Sequence, residues 1–243
     1  GVNINAACGS THPESLIAAV RASGAQLGLA LDGDADRLIA VDHEGNLVDG
    51  DRMLALFAAD LSARGELKRD TVVITVMTNL GFLRAMEAKG IDCAVVPVGD
   101  RHVLQALLKD DLSLGGEQSG HLIFSARATT GDGLLTGILL CDLVKRSGAT
   151  LAELAGAAFA TYPQRLVAVE VANREAVASC TALDEAIAAA EAELGESGRV
   201  LIRASGTEPV IRVMVEADTD EAAQRITDAL VAVVVAELEG TVR

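Results

Sequence analysis

Hydrophobic positions along the chain follow two periods, and the change between them predicts the order of secondary structure. Short apolar or β-branched runs predict strands, and apolar residues that recur every three or four positions predict amphipathic helices. Strands are predicted at residues 27–31, 38–41, 47–48, 71–76, 93–96, 112–114, 121–124, 166–171, 200–203 and 210–216. Helices are predicted at residues 13–23, 51–64, 80–89, 103–108, 132–146, 151–159, 183–194 and 220–238.

Strands alternate with helices along most of the chain, and this order predicts an α/β fold with a parallel or mixed sheet. A proline interrupts the helical pattern at Tyr162-Pro163-Gln164, so we predict a domain boundary there. The strands and helices after Pro163 predict a smaller, compact α+β domain. Residues 1–49 are predicted to form one βα-type unit that ends in a β-hairpin. This unit is small for an independent domain, since domains commonly have about 100 to 200 residues.

The net charge of −15 argues against partners that carry a phosphate backbone or an acidic membrane surface. Aromatic residues make up 2% of the chain and Trp is absent, so few side chains could stack on bases. The longest apolar run, Ala229–Ala236, is shorter than the ~18 residues of a membrane-spanning helix. We therefore predict neither a nucleic-acid partner nor a membrane partner.

The four cysteines are scattered along the chain and form no CxxC pair: Cys8, Cys93, Cys141 and Cys180. This spacing predicts neither a zinc site nor a disulfide framework. Reduced thiols are typical of the cytoplasm, and we expect a cytoplasmic protein.

The stretch with the most distinctive chemistry is Leu31-Asp32-Gly33-Asp34-Ala35-Asp36-Arg37, which begins at the last residue of the predicted strand 27–31. Its three carboxylates occupy alternate positions and project to one side if the loop is extended. Like charges beside apolar sequence raise one another's pKa or require a cation. We therefore predict a site for a hard divalent cation, which prefers oxygen ligands.

Three other interpretations of this loop are weaker. An EF-hand loop needs glycine at its sixth position and glutamate at its twelfth, where this chain has Arg37 and His43. A phosphatase with an aspartyl nucleophile also carries D-x-D after an apolar strand, but it would leave the third carboxylate without a purpose. A solvated acidic turn explains most isolated D-x-D patterns, yet the third aspartate, Arg37 and the preceding strand favour a metal site.

Two further loops combine glycine with hydrogen-bonding side chains. Gly115-Gly116-Glu117-Gln118-Ser119-Gly120-His121 lies between two predicted strands and offers donors and acceptors that suit sugar hydroxyls. Arg203-Ala204-Ser205-Gly206-Thr207-Glu208-Pro209, with Arg212 after it, can surround a phosphate, because guanidinium groups bind phosphate through paired hydrogen bonds. An ordinary solvated loop and an ordinary Ser-Gly turn are alternatives that the residues alone leave open.

Two weaker elements lie at predicted helix starts. Gly99-Asp100-Arg101 follows a strand, which is where open α/β sheets often bind ligands. Thr130-Gly131-Asp132 is explained equally well as a helix N-cap.

Taken in order, D-G-D-A-D-R, G-E-Q-S-G-H and R-A-S-G-T-E-P resemble the motifs of the α-D-phosphohexomutase superfamily. Within that superfamily, the chain resembles the bacterial phosphoglucosamine mutases over essentially all 243 residues, including C-G-S-T-H-P-E near the start and V-G-D-R in the middle. The resemblance implies the end of domain two in residues 1–49, a complete α/β sandwich domain three with a mixed sheet in 50–162, and a smaller α+β domain four in 163–243.

The resemblance also implies an activity and a set of site residues. The implied enzyme is a cytoplasmic isomerase that interconverts glucosamine 6-phosphate and glucosamine 1-phosphate, through a phosphoserine and a bisphosphate, for UDP-N-acetylglucosamine and cell-wall synthesis. Its implied partner is the phosphosugar, and no oligomeric state is implied. The resemblance implies that Asp32, Asp34 and Asp36 bind Mg²⁺ and that Arg37 contacts the transferring phosphoryl group. It implies that Glu117, Ser119 and His121 bind the sugar, and that Asp100 and Arg101 belong to a further active-site loop. The residues that it implies for the second phosphate are Arg203, Ser205, Gly206, Thr207 and Arg212.

One departure from the superfamily pattern qualifies the expected activity. The superfamily's phosphoserine lies in a stretch that resembles S-A-S-H-N-P, which this sequence does not contain. We therefore expect a C-terminal part of such an enzyme, with weak Mg²⁺ binding, no turnover by itself and a variable orientation of domain four. The alternatives are a phosphomannomutase or phosphoglucomutase, which usually read G-E-M-S-G-H and S-N-T-x-P at two of the motifs, and a non-catalytic sugar-phosphate-binding module.

Overall fold

The computed structural model describes residues 2–205 and 208–242. The chain divides into two compact units, of which the first ends at Ala160 and the second begins at Thr161. The proline that interrupts the helical pattern, Pro163, predicts a boundary two residues after the start of the second unit.

The first unit begins with a helix and a three-stranded antiparallel sheet. Helix α1 (Glu14–Ser23) ends at Gly24, which adopts the left-handed conformation with φ 66° that glycine favours. Strands β1 (Leu27–Leu31), β2 (Leu38–Asp42) and β3 (Leu47–Val48) follow in spatial order. Because Leu31 pairs with Leu38, the acidic loop is the connection between two antiparallel strands.

The remainder of this unit is an α/β arrangement around a four-stranded mixed sheet. Its strands are β4 (Thr71–Thr75), β5 (Asp92–Val96), β6 (Leu114–Gly116) and β7 (Leu122–Phe124), in the spatial order β5-β4-β6-β7. Strand β4 is parallel to both β5 and β6, and β7 is antiparallel to β6. Its helices are α2 (Gly50–Ala63), α3 (Leu80–Ala88), α4 (Asp100–Lys109), α5 (Gly133–Ser147) and α6 (Leu151–Ala158). The predicted mixed α/β fold is confirmed.

One hydrophobic core joins the two sheets of the first unit. Leu38 from β2 belongs to the same buried cluster as Met53 of α2, Ile74 of β4 and Phe82 of α3. The segment before residue 49 therefore packs with the segment after it. This shared core fixes the acidic loop against the β6–β7 connection.

The second unit is a four-stranded antiparallel sheet with two helices. Its elements are β8 (Gln164–Glu170), α7 (Thr181–Leu194), β9 (Arg199–Ala204), β10 (Val210–Glu216), α8 (Asp220–Glu237) and β11 (Thr241–Val242). The strands lie in the order β11-β8-β10-β9. The sequence pattern missed the two-residue β11 and the 3-10 segment Arg174–Ser179, because elements this short carry no period.

None of the helices in the part of the chain that the structure describes combines the length and the apolar character that crossing a bilayer requires.

Candidate functional site

The acidic loop brings its three carboxylates together through a turn. The Ala35 N–H donates to the Asp32 carbonyl at 3.2 Å, and Ala35 has a φ of 61°. Asp32, Asp34 and Asp36 each offer an oxygen that lies within 4.8 Å of the others. The loop is therefore not extended, which was the condition under which the alternating pattern would place the carboxylates on one side, yet the carboxylates converge. The reason is that a left-handed residue reverses the chain, whereas the strand argument assumes uniform β geometry.

These carboxylates are close to one another and only partly neutralised. Burial and the neighbouring charge of Asp32 raise the pKa of Asp36, with smaller contributions from a hydrogen bond to Asp32 and from Asp34, while His121 lowers it. The Arg37 Nε lies 3.7 Å from Asp32 and 3.8 Å from Asp36. Within the described ranges, Asp36 Oδ1 is buried and has no hydrogen-bond partner. Three oxygen donors and an orphaned buried oxygen fit a hard divalent cation such as Mg²⁺.

The β6–β7 connection forms a tight turn at Glu117–Gly120. The Gly120 N–H donates to the Glu117 carbonyl at 3.0 Å, and Gly120 has a φ of 92°, which favours glycine. The Glu117 carboxylate accepts from the Gly99 N–H at 2.9 Å. The motif at Gly99, Asp100 and Arg101, which begins α4, is thereby joined to this turn. Ser119 is exposed at its tip.

Backbone hydrogen bonds tie this turn to the acidic loop. The Leu38 N–H, immediately after Arg37, donates to the Gly120 carbonyl at 3.1 Å. The Gly50 N–H, at the start of α2, donates to the Gln118 carbonyl at 3.0 Å. The acidic loop and the glycine-rich turn are consequently adjacent in the first unit.

His121 occupies a different position from Glu117 and Ser119. Its side chain is 2% exposed, and its Nε2 lies 3.5 Å from an oxygen of Asp36. The Gly131 N–H donates to the same Nε2 at 3.2 Å. His121 therefore contacts the acidic loop from beneath, whereas Ser119 faces solvent.

The segment before α5 contributes more than the helix cap that the sequence indicates. Asp132 does cap α5, because its carboxylate accepts from the Leu135 N–H at 2.9 Å. In addition, the Gly133 N–H donates to the Ala35 carbonyl at 2.9 Å. A Cβ on Gly131 would lie 2.4 Å from the His121 ring, and one on Gly133 would lie 2.5 Å from the Arg37 carbonyl oxygen. The glycines on either side of the cap residue Asp132 were the only signal in the sequence for the contact between this segment and the acidic loop.

The second unit holds the arginine-rich loop. Arg203 in β9 and Arg212 in β10 are directly opposite in the antiparallel register, so their side chains share one face of the sheet. Burial and the charge of Arg212 lower the pKa of Arg203, and its buried Nε has no hydrogen-bond partner among residues 2–205 and 208–242. Ser205 is 5% exposed. The predicted phosphate ligands Gly206 and Thr207 lie outside the described residues.

These charges are incompletely balanced. Arg212 Nη2 is 3.1 Å from the Glu208 carboxylate, which is the ion pair that the structure places beside the loop. Among the described residues, two arginines on one face lie near the carboxylate of Glu208, which gives this face a positive charge in a chain of net charge −15. Such an arrangement suits an anion with several oxygens, such as a phosphate.

Two models of one known protein family match most of the chain. The family model described as phosphoglucomutase/phosphomannomutase, alpha/beta/alpha domain III, matches residues 49–162, and the model of the same family's C-terminal domain matches residues 166–233. The chain belongs to the phosphoglucomutase/phosphomannomutase family. The architecture predicted from the motif order, an α/β domain three followed by a smaller domain four, is confirmed by these matches.

Curated relatives in this family are similar to the chain over almost its whole length. The phosphoglucosamine mutase of Shouchella clausii is 49% identical over 238 residues, which are 98% of this chain and 53% of that protein. The phosphoglucosamine mutase of Symbiobacterium thermophilum is 52% identical over 239 residues, which are 98% of this chain and 53% of that protein. The chain thus spans about half the length of the curated relatives it matches.

Solved structures of the family share the fold. A phosphoglucomutase/phosphomannomutase family protein from Burkholderia thailandensis is 27% identical with a TM-score of 0.76, over 96% of this chain and 52% of that one. Aspergillus fumigatus N-acetylphosphoglucosamine mutase, solved in complex with GlcNAc-6P and magnesium, is 22% identical with a TM-score of 0.74, over 93% of this chain and 52% of that one. At such identity the second structure supports the fold alone.

Proposed function

We propose that this chain is the C-terminal half of a cytoplasmic phosphoglucosamine mutase, which interconverts glucosamine 6-phosphate and glucosamine 1-phosphate. The observation that carries the proposal is the junction of the carboxylate cluster with the Glu117 turn through the Leu38–Gly120 hydrogen bond of 3.1 Å. A cation site for a phosphoryl group and hydrogen-bonding groups for a sugar then belong to one surface. The name shared by relatives about half identical over 98% of the chain favours glucosamine as the sugar.

In this proposal, Asp32, Asp34 and Asp36 hold Mg²⁺, which supplies positive charge to the oxygens of the transferring phosphoryl group. The Arg37 guanidinium is 47% exposed and lies beside two of these carboxylates, so it can reach a ligand while remaining anchored. It donates hydrogen bonds to the same phosphoryl oxygens and offsets charge that develops on them. His121, which the resemblance assigns to the sugar, is 2% exposed and lies against the buried side of Asp36, so in this proposal it supports the metal-binding loop.

Sugar recognition is assigned to the β6–β7 turn. Ser119 offers an exposed hydroxyl, and the second oxygen of the Glu117 carboxylate accepts from sugar hydroxyls while the first is held by Gly99. Asp100 and Arg101 start α4 directly after Gly99, and we assign them to the same sugar-phosphate surface. Restricting the sugar's rotation in this way supplies the orientation on which phosphoryl transfer depends.

The phosphate that is not transferred is assigned to the arginine-rich loop. Arg203 and Arg212 provide charge and paired donors, and the proposed loop ligands are Ser205, Gly206 and Thr207. We also propose that these 243 residues bind sugar phosphate without turnover, because the sequence lacks a stretch like the one that carries the phosphoserine in the superfamily.

The experiment is a substrate comparison with the full-length protein that contains this chain. Interconversion rates with glucosamine, mannose and glucose phosphates are measured with and without Mg²⁺. We expect the glucosamine phosphates to be preferred and the rate to depend on the metal. Asp34→Asn should lower kcat by at least about a hundredfold, given the charge that a metal offsets. The matched control is Asp92→Asn, an exposed aspartate on β5, which should retain the rate. Preference for mannose or glucose phosphates would overturn the assigned specificity.

A further inference from the structure

One arginine holds both ends of the segment between β9 and β10. Arg174 Nη1 donates to the Ser205 carbonyl at 2.6 Å and to the Glu208 carbonyl at 3.2 Å. Arg174 begins the 3-10 segment Arg174–Ser179, which lies between β8 and α7 and is remote from Ser205 in sequence. The guanidinium therefore clamps the loop from another part of the second unit.

The two carbonyls define the ends of the predicted phosphate-binding loop. Ser205 also donates its N–H to the Val210 carbonyl at 2.8 Å, and the Glu208 N–H donates to the Ser205 hydroxyl at 3.4 Å. Both ends are consequently anchored, one to β10 and both to Arg174. A short loop anchored at its ends has fewer conformations to lose when it binds a ligand.

The bonds to Arg174 also affect the charge that the loop presents. Carbonyl oxygens carry partial negative charge and repel a phosphate if they face it. Arg174 Nη1 is engaged by the two carbonyls, whereas Arg203 has a buried Nε without a partner among the described residues. Arg174 thus contacts the loop backbone, and Arg203 has a donor that is not used by another group of the described residues.

We propose that Arg174 is a positioning residue for phosphate binding, and that it acts by bridging the Ser205 and Glu208 carbonyls. This inference rests on the proposed function, in which the loop grips the phosphate that is not transferred. Loss of the Arg174 side chain releases the Ser205 and Glu208 carbonyls and weakens substrate binding, without removing a group that touches the phosphate.

The test uses the full-length protein with Arg174→Met, Arg174→Lys and Arg203→Gln. Arg225→Met is the matched control, because Arg225 is an exposed arginine of the same unit that pairs with Glu193. We measure KM and kcat for glucosamine 6-phosphate, the melting temperature, and hydrogen exchange of the peptide that spans residues 203–210.

For Arg174→Met we expect KM to rise about tenfold, as follows from losing two hydrogen bonds from a charged donor, while kcat changes less. Exchange in residues 203–210 should become faster in the ligand-free protein, and the melting temperature should stay within about 3 °C of the parent value. Arg174→Lys should recover part of the loss, since an ammonium can donate to both carbonyls. Arg203→Gln should raise KM without accelerating exchange, and Arg225→Met should change neither.

The outcomes distinguish failure of the role proposed for Arg174 from failure of the proposed phosphate site. If Arg203→Gln raises KM but Arg174→Met leaves both KM and hydrogen exchange unchanged, the role proposed for Arg174 is wrong and the proposed function stands. If Arg174→Met raises KM with no change in exchange, Arg174 acts as a direct ligand and the positioning role is overturned. If neither variant alters KM, the proposed phosphate site itself fails.

Discussion

The Glu117 carboxylate accepts a hydrogen bond of 2.9 Å from the Gly99 N–H, and this bond joins the β6–β7 turn to the start of α4. One side chain therefore fixes the relation between two loops that the sequence places well apart. Because Gly99 has a φ of 126°, its N–H direction depends on a conformation that other residues rarely adopt.

Replacing Glu117 tests this bond. Glu117→Ala removes the acceptor of the Gly99 N–H and should lower the free energy of unfolding by about 1 kcal/mol. Glu117→Gln retains an oxygen acceptor and should lose less stability, while both variants raise KM for the sugar phosphate. Chemical denaturation and steady-state kinetics of the full-length protein measure the two effects. Equal stability of the Ala and Gln variants would contradict the assigned bond.

The close approach of Gly131 to His121 predicts a steric effect. In Gly131→Ala the new Cβ would lie 2.4 Å from the His121 ring and 2.7 Å from the Asp36 carbonyl, so one of them has to move. We expect a loss of about 1 to 3 kcal/mol in stability, together with weaker Mg²⁺ binding measured by calorimetry.

Gly156→Ala is the control for that substitution. Gly156 lies on the exposed side of α6, and a Cβ there meets nothing within 4 Å. Because alanine favours helix more than glycine does, this variant should be more stable by up to about 1 kcal/mol. Similar destabilisation of the two variants would show that the contact with His121 is not the cause.

Glu216 forms a buried ion pair that should be important for the second unit. Its side chain is 0% exposed, with Arg199 Nε at 2.6 Å and Gln164 Nε2 at 2.8 Å. Glu216→Gln removes the buried negative charge that faces Arg199 and should lower the free energy of unfolding by about 3 kcal/mol. Glu193→Gln breaks an exposed pair with Arg225 and should have no measurable effect. Denaturant titration of both variants provides the comparison.

The Asp60 network predicts a pH dependence of stability. Hydrogen bonds from Arg146, both at 2.9 Å, lower the pKa of Asp60 below its ordinary value, with help from the charge of Arg64 and against the opposing effect of burial. A carboxyl whose pKa is lower in the folded state stabilises the fold above its unfolded pKa of ~3.9 and loses that contribution as the pH falls through the folded value.

Asp60→Asn therefore should be less stable than the parent at pH 6, and the difference should shrink as the pH is lowered from about 4 to about 2. Denaturant titrations across this range measure the difference. A gap between the two proteins that remains constant down to the lowest pH would contradict the coupling of Asp60 to Arg146.

Local pattern was sufficient for the order of the longer helices and strands, and it indicated a chemistry for each loop. The helix at Gly50–Ala63 and the strand at Val210–Glu216 follow directly from the spacing of apolar residues. The residue types of the three aspartates predict a cation site and those of the arginine-rich stretch predict a phosphate site, because carboxylates attract cations and guanidinium groups attract phosphates. The motif order also predicted the family.

The sequence by itself determined which longer helices and strands form and which loops carry charge, since both depend on neighbours within a few residues. Tertiary structure alone decided that Ala35 turns the acidic loop back on itself, that His121 and Gly131 lie beneath Asp36, and that Arg174 bridges Ser205 and Glu208. Apart from the local turn at Ala35, these contacts join residues remote in sequence. Their geometry follows from packing of a shared core and from backbone hydrogen bonds between loops, and neither leaves a periodic signal along the chain.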